Sequence, residues 1–206
     1  MFFLVLACTT TEVNDPNPAP VPPTDPVPES PLTTWDAKGT LTAVSVKNGT
    51  AEVPGTLDVG GQLTFADTTD LEGISGTLTA DLNTWNSQLE LRDDRVKQTF
   101  FQVADHATAT FEAKGLNVAG GKGTLDGELS LHGTSKDVSV PVEILHTEAG
   151  MALRSTEPWV VKISDHDMGT QLDALITLCA HDSIADEVKV TVDVQLGEAP
   201  AWPAAE

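Results

Sequence analysis

The chain has 206 residues, 40% of them hydrophobic and 20% charged, which suits one soluble β-domain with appendages. Its 31 carboxylates outnumber 11 Lys and Arg to give a formal net charge of −20. That balance argues against a nucleic-acid partner, whose phosphates need Lys and Arg, and against attraction to an anionic membrane surface. The charge is spread through the chain, as solubility or an acidic recognition surface would require.

The chain opens on an apolar run, Phe2 to Ala7, ending at Cys8. Val5-Leu6-Ala7-Cys8 resembles a bacterial lipobox, in which cleavage before the cysteine leaves its sulfur to carry a diacylglycerol. The run is short for a signal core and no basic residue precedes it, the first being Lys38, so the true start is expected upstream. The other reading of Cys8 is a free thiol or a partner for Cys179. The run is too short to span a bilayer. Segment 1–8 is therefore expected to be a signal remnant. Segment 9–34 is a linker, because Pro16, Pro18, Pro20, Pro22, Pro23, Pro26, Pro28 and Pro31 remove donors and fix φ. Its expected state is a disordered or polyproline-like spacer, the tether an anchored protein needs.

From Trp35 onward Gly, Thr, Val and Leu dominate and period-two alternation recurs. Strands are expected at 40–46, 56–65, 76–82, 108–118, 123–131, 137–145, 152–163 and 188–196. The last is the clearest, with Val188, Val190, Val192, Val194 and Leu196 alternating with polar residues. Turn signals separate the strands at 47–49, 59–61, 119–123 and 148–150. Many evenly spaced strands mean a barrel or sandwich, and closure into an antiparallel barrel removes exposed edges. Two segments break the alternation. Segment 88–98 is charged, lacks Gly and Pro, and reads as a short helix. Segment 172–180 has near-helical apolar spacing and fits a helix, a strand or a capping segment. The domain is expected over 35–197, with a tail at 198–206.

Several motifs follow one another in a recognisable order. Leu91-Arg92-Asp93-Asp94-Arg95-Val96-Lys97 is similar to an R-D-x-H-L-[KR] stretch, with Arg95 and Val96 at the His and Leu positions. Phe100-Phe101-Gln102-Val103 corresponds to D-F-F-D-V without its acids, and Ala109-Thr110-Phe111 to the end of Y-P-x-A-T-F. Leu129-Ser130-Leu131-His132-Gly133 with Lys136 matches L-x-L-H-G-x-T-K, and Asp186-Glu187-Val188 the closing D-E-V strand. Together, over about residues 38–197, they resemble the YceI-like family. The resemblance implies an all-β, closed, lipocalin-like barrel with one or two short helices, exported, holding an isoprenoid-type lipid. The departures cluster in the segment after Leu91.

A lipid-holding barrel needs an apolar lumen and a polar or lidded mouth. The expected lumen residues are Phe65, Leu78, Phe100, Phe101, Phe111, Leu129, Leu131, Val140 and Val142; the alternative is that they fill a solid core. Arg92, Arg95, Lys97 and His132 are candidates for a headgroup, since basic residues are scarce. The alternative for the first three is pairing with Glu90, Asp93 and Asp94 on a solvated helix face, and for His132 a turn position bonding backbone. Asp165-His166-Asp167 and His181-Asp182 match no zinc spacing, and no metal or cofactor is expected. No G-x-S-x-G elbow or P-loop occurs, so no catalytic set is expected. The resulting expectation is an anchored periplasmic or outer-membrane lipoprotein that sequesters or transports a polyisoprenoid or quinone-like molecule. It touches the membrane through its anchor alone, and a homodimer is compatible. The competing expectation is a non-catalytic interaction module with a filled barrel and an acidic partner-binding surface.

Overall fold

Alternating apolar and polar residues produce a sheet with one wet face, and a sheet long enough to curl can bury the other face within itself. The computed structural model describes residues 32–65, 73–147 and 150–197. Cys8, most of the Pro-rich segment and the tail at 198–206 lie outside the described residues. The strands are β1 (Thr33–Lys47), β2 (Ala51–Phe65), β3 (Ser75–Asn86), β4 (Thr108–Ala119), β5 (Lys122–Leu131), β6 (Thr134–Thr147), β7 (Gly150–Ser155), β8 (Trp159–Lys162) and β9 (Glu187–Leu196). Neighbours from β1 to β7 pair antiparallel in chain order, and β9 pairs with β1 to close the barrel.

β7 and β8 share one edge of β9 and act as a single interrupted stave, so the barrel has eight. Arg154 pairs with Asp193 and Trp159 with Val190, so residues 155–158 face only two residues of β9. This is a wide interruption of the ladder, and it explains why 152–163 reads as one strand but folds as two. The gap is bridged by Ser155 Oγ, which accepts the Val192 N–H at 2.8 Å.

The two segments that break the alternation both become lids. Segment 88–98 forms α1 (Glu90–Arg95), which continues as a π-helical turn over Val96–Phe101. Segment 172–180 resolves to a helix, α2 (Gly169–Cys179), preceded by a 3-10 turn at Ile163–His166. The lids connect β3 to β4 and β8 to β9, so both sit at one end of the barrel, the mouth. At the opposite end the core is solid. Leu63, Phe65, Val142 and Val194 are 0% exposed there, joined by Trp35, Met151 and Leu196.

Candidate functional site: a lidded apolar cavity

One strand shows how the interior changes along the barrel axis. On β9 the inward residues Val194 and Leu196 lie in the solid end, and Val192 borders a small lobe. Val188 and Val190 border the main cavity under the lids. That cavity measures about 170 Å³, and a second lobe of about 80 Å³ shares Leu41, Ala80, Ala109, Leu129 and Trp159 with it. Such a space exceeds many times the roughly 10–15 Å³ that a single water needs. Apart from indoles, the polar residues in these walls are Ser45 and Thr110. A wall of this composition favours hydrocarbon and offers an ion nothing to offset its desolvation.

The nine expected lumen residues divide into two groups. Phe100, Phe101, Leu129 and Leu131 line the main cavity, and Leu78, Phe111 and Val140 line the lobe with Leu129. Phe65 and Val142 instead belong to the solid core at the closed end, where facing side chains meet and leave no space. Trp85, Trp159, Val96, Ile163, Leu172 and Leu175 also line the main cavity and were not expected there. The i, i+3 spacing of Leu172 and Leu175 was a usable signal for the last two.

Trp85 closes the β3 side of the mouth. Gly55 on β2 provides its seat, since a Cβ there would lie 2.3 Å from the indole ring. Phe101 meets Trp85 edge-on at 5.7 Å, and Phe100 lies 5.2 Å from Phe101, making an aromatic rim. The indole N–H groups of Trp85 and Trp159 are buried and without a hydrogen-bond partner among the described residues.

None of the four headgroup candidates contributes to the cavity wall. Arg92 donates from Nε to Ser87 Oγ at 2.6 Å and from Nη2 to the Ser87 carbonyl at 2.5 Å. Buried Asp93 accepts the Ser87 N–H at 2.9 Å and a bond from the Ser87 hydroxyl. This knot fixes the entry to α1, whose N-cap position, Leu89, has no capping side chain. Arg95 Nη1 lies 3.8 Å from Cys179 Sγ at the end of α2. Lys97 is half-buried on the π-helical turn. Among the described residues no carboxylate of Glu90, Asp93 or Asp94 forms an ion pair with these cations, so the paired solvated face is not what folds.

His132 takes a left-handed turn conformation, φ 54°, at the β5–β6 hairpin. Its Nε2 lies 3.0 Å from Gln102 Oε1, and its ring stacks on His106 with centroids 3.7 Å apart. Burial pushes its pKa down, and His106 adds to this while Asp105 opposes it. Gln171 Nε2 on α2 reaches the same Gln102 oxygen at 3.4 Å. The first lid thus touches α2 at both ends, Arg95 to Cys179 and Gln102 to Gln171, and the two segments run antiparallel. His166 is buried with Nδ1 2.9 Å from the Thr134 carbonyl, to which it donates. Among the described residues, no group of three His, Cys, Asp or Glu side chains could hold a metal ion.

An eight-staved antiparallel barrel with helical lids over an apolar cavity defines a lipocalin-like architecture. The family model for the YceI-like domain matches residues 34–196, and the chain belongs to that family. Solved structures share the fold. A polyisoprenoid-binding domain from Saccharophagus degradans, implicated in plant cell wall breakdown, aligns with a TM-score of 0.67 at 18% identity. The alignment covers 82% of this chain and 100% of that one. BcnA of Burkholderia cenocepacia aligns at 0.62 and 23% identity, over 77% of this chain and 94% of its own. The YCEI protein of Campylobacter jejuni aligns at 0.58 and 22%, over 72% and 87%. No curated protein matches the sequence.

Proposed function

We propose that the barrel binds and carries a hydrophobic, isoprenoid-like lipid in its lumen. The observation that carries this reading is the apolar cavity under the two lids, in a fold shared with the Saccharophagus polyisoprenoid-binding domain. Each methylene moved from water into such a wall is worth about 0.8 kcal/mol, so a long chain binds without any charged contact. The walls offer no nucleophile beside a base, which favours holding a ligand over converting one. We assign the headgroup to the mouth, outside the wall, where Arg92, Arg95, Lys97 and His132 lie on the lids and the adjoining hairpin. In the same proposal Cys8 carries the lipid anchor and the Pro-rich segment holds the barrel off the membrane of an exported protein.

The test is solvent extraction of the purified, folded full chain with mass spectrometry of the extract, alongside Ala109→Phe. Ala109 borders both lobes, so the larger ring fills the space. A stoichiometric lipid in the wild type, lost in Ala109→Phe with stability lowered by no more than about 3 kcal/mol, is expected. A blank extract that persists after incubation with a polyprenol overturns the reading in favour of an acidic interaction module. Loss of fatty-acid labelling in Cys8→Ser separately checks the anchor.

A further inference from the structure

Among the described residues, left-handed backbone at positions other than glycine is confined to the mouth. Six residues other than glycine have positive φ among the described residues: Asn48, Gln88, Gln102, His132, Asp167 and Ala180. Gln88 and Gln102 bracket the first lid, and Asp167 and Ala180 bracket the 169–179 helix. Asn48 and His132 sit in hairpin turns at the same end. Each lid is therefore mounted between two left-handed residues, positions where a small φ/ψ change swings a whole segment.

One polar cluster ties these lids to the barrel. His132 on the β5–β6 hairpin stacks on His106 from the loop that leaves the first lid. It also bonds Gln102, which in turn meets Gln171 on α2. Each tie adjoins the cavity in sequence: Leu131 precedes His132, Phe101 precedes Gln102, and Leu172 follows Gln171. We propose that the stacked His106–His132 pair is a latch that holds the lids shut over the cavity when both rings are neutral and lets them open on acidification.

The chemistry follows from the stack. Two neutral imidazoles tolerate the 3.7 Å contact, with planes tilted by 34°, whereas two imidazolium ions at this separation repel. The bond to Gln102 survives protonation of His132, because the Gln102 oxygen accepts from it in either state, so the added charge acts on the stack and not on this bond. The charged groups around the pair are few. Asp105 lies in the same loop and favours protonation. Asp167 and His166 bind Thr134, two residues past His132, through its hydroxyl and carbonyl. The α2 side presents the neutral Gln171. Burial and His106 hold the His132 pKa below its ordinary value while the lid is closed. The closed state is therefore favoured above the ordinary histidine range and loses that advantage as pH falls through it.

The experiment is amide hydrogen exchange on the full chain, comparing lid segments 90–101 and 169–179 with stave amides in the same sample. That ratio cancels the intrinsic pH dependence of exchange. Between about pH 7.5 and about pH 5, a window that spans histidine titration, lid protection should fall several-fold relative to the staves. In His106→Gln/His132→Gln it should not change with pH. A fall of equal size in that variant, or none in the wild type, overturns the latch. A second readout uses the neutral probe diphenylhexatriene released into excess zwitterionic vesicles, and faster release at acid pH in the wild type alone is expected. This inference rests on the carrier reading only for its consequence. A lid that opens on acidification in a chain that takes up neither probe nor lipid would sink the carrier reading and leave the latch standing.

Discussion

The two ends of this barrel are built from the same alternating strands and reach opposite outcomes. At the closed end Leu63, Phe65, Val142 and Val194 interdigitate with no exposed surface. At the mouth Leu129, Leu131, Val188 and Val190 face inward in the same way, yet border about 170 Å³ of space. The difference lies in what opposes them. Staves oppose staves at the closed end, while at the mouth two short helices stand across the opening on left-handed hinges. Inward orientation is therefore common to both ends, and the capping elements decide whether it yields a core or a lumen.

Truncation sharpens the contrast most. Leu63→Ala removes a side chain from a packed surround and should cost about 2–5 kcal/mol in chemical unfolding. Leu129→Ala already borders space, so it loses mainly the transfer term, about 1–2 kcal/mol. Equal costs at the two sites would show that the mouth is packed as tightly as the closed end. Between these extremes lies Ser87→Ala at the lid entry. It leaves the Asp93 carboxylate and Arg92 without their shared hydroxyl, and should destabilise by about 1–3 kcal/mol. Lid amides should lose protection before stave amides do, and uniform loss across the chain would break the separation of lid from barrel.

The smallest effect is expected on the outer surface. Lys114 bridges Glu128 at 2.8 Å and Asp137 at 3.1 Å across three staves, fully in solvent. Its hydrogen bond holds the Glu128 carboxyl below the usual glutamate range, with Ser135 adding to it. The stabilisation is therefore present above that range and lost as pH falls through the depressed value. Lys114→Ala should leave the neutral-pH unfolding midpoint unchanged within error and differ from wild type only in the onset of acid unfolding. A clear shift at neutral pH would mean this surface network holds register.

Much of the fold was legible in the chain because a period of two is a local property. Val188 to Leu196 reads as a half-buried strand from nine residues alone, and β9 adopts that strand with those residues inward. The order of the Arg92, Phe100, Ala109 and Leu131 motifs carried the family, and the family model covers the same span. Less legible was anything set by a partner distant in sequence. The break between β7 and β8 depends on register against β9, which 152–163 does not itself encode. The helical state of 169–179 depends on Leu172 and Leu175 finding the cavity. Arg92 and Arg95 are pulled to Ser87 and Cys179 because those atoms lie close in space, although nearer charges in sequence offered a different pairing.

By itself the sequence determined which residues point inward, how many staves recur, and that two segments could not join them. Side-chain alternation and proline chemistry act within a few residues and need no tertiary context, whereas the turn expected at 59–61 is absorbed into the continuous strand β2. Only the tertiary structure decided that Phe65 and Val142 pack solidly while Leu129 and Phe111 border space. Only it brought His106, His132, Gln102 and Gln171 together at the mouth. Packing density and side-chain meeting depend on where the barrel closes and what stands across its end, and that geometry is a property of the whole sheet.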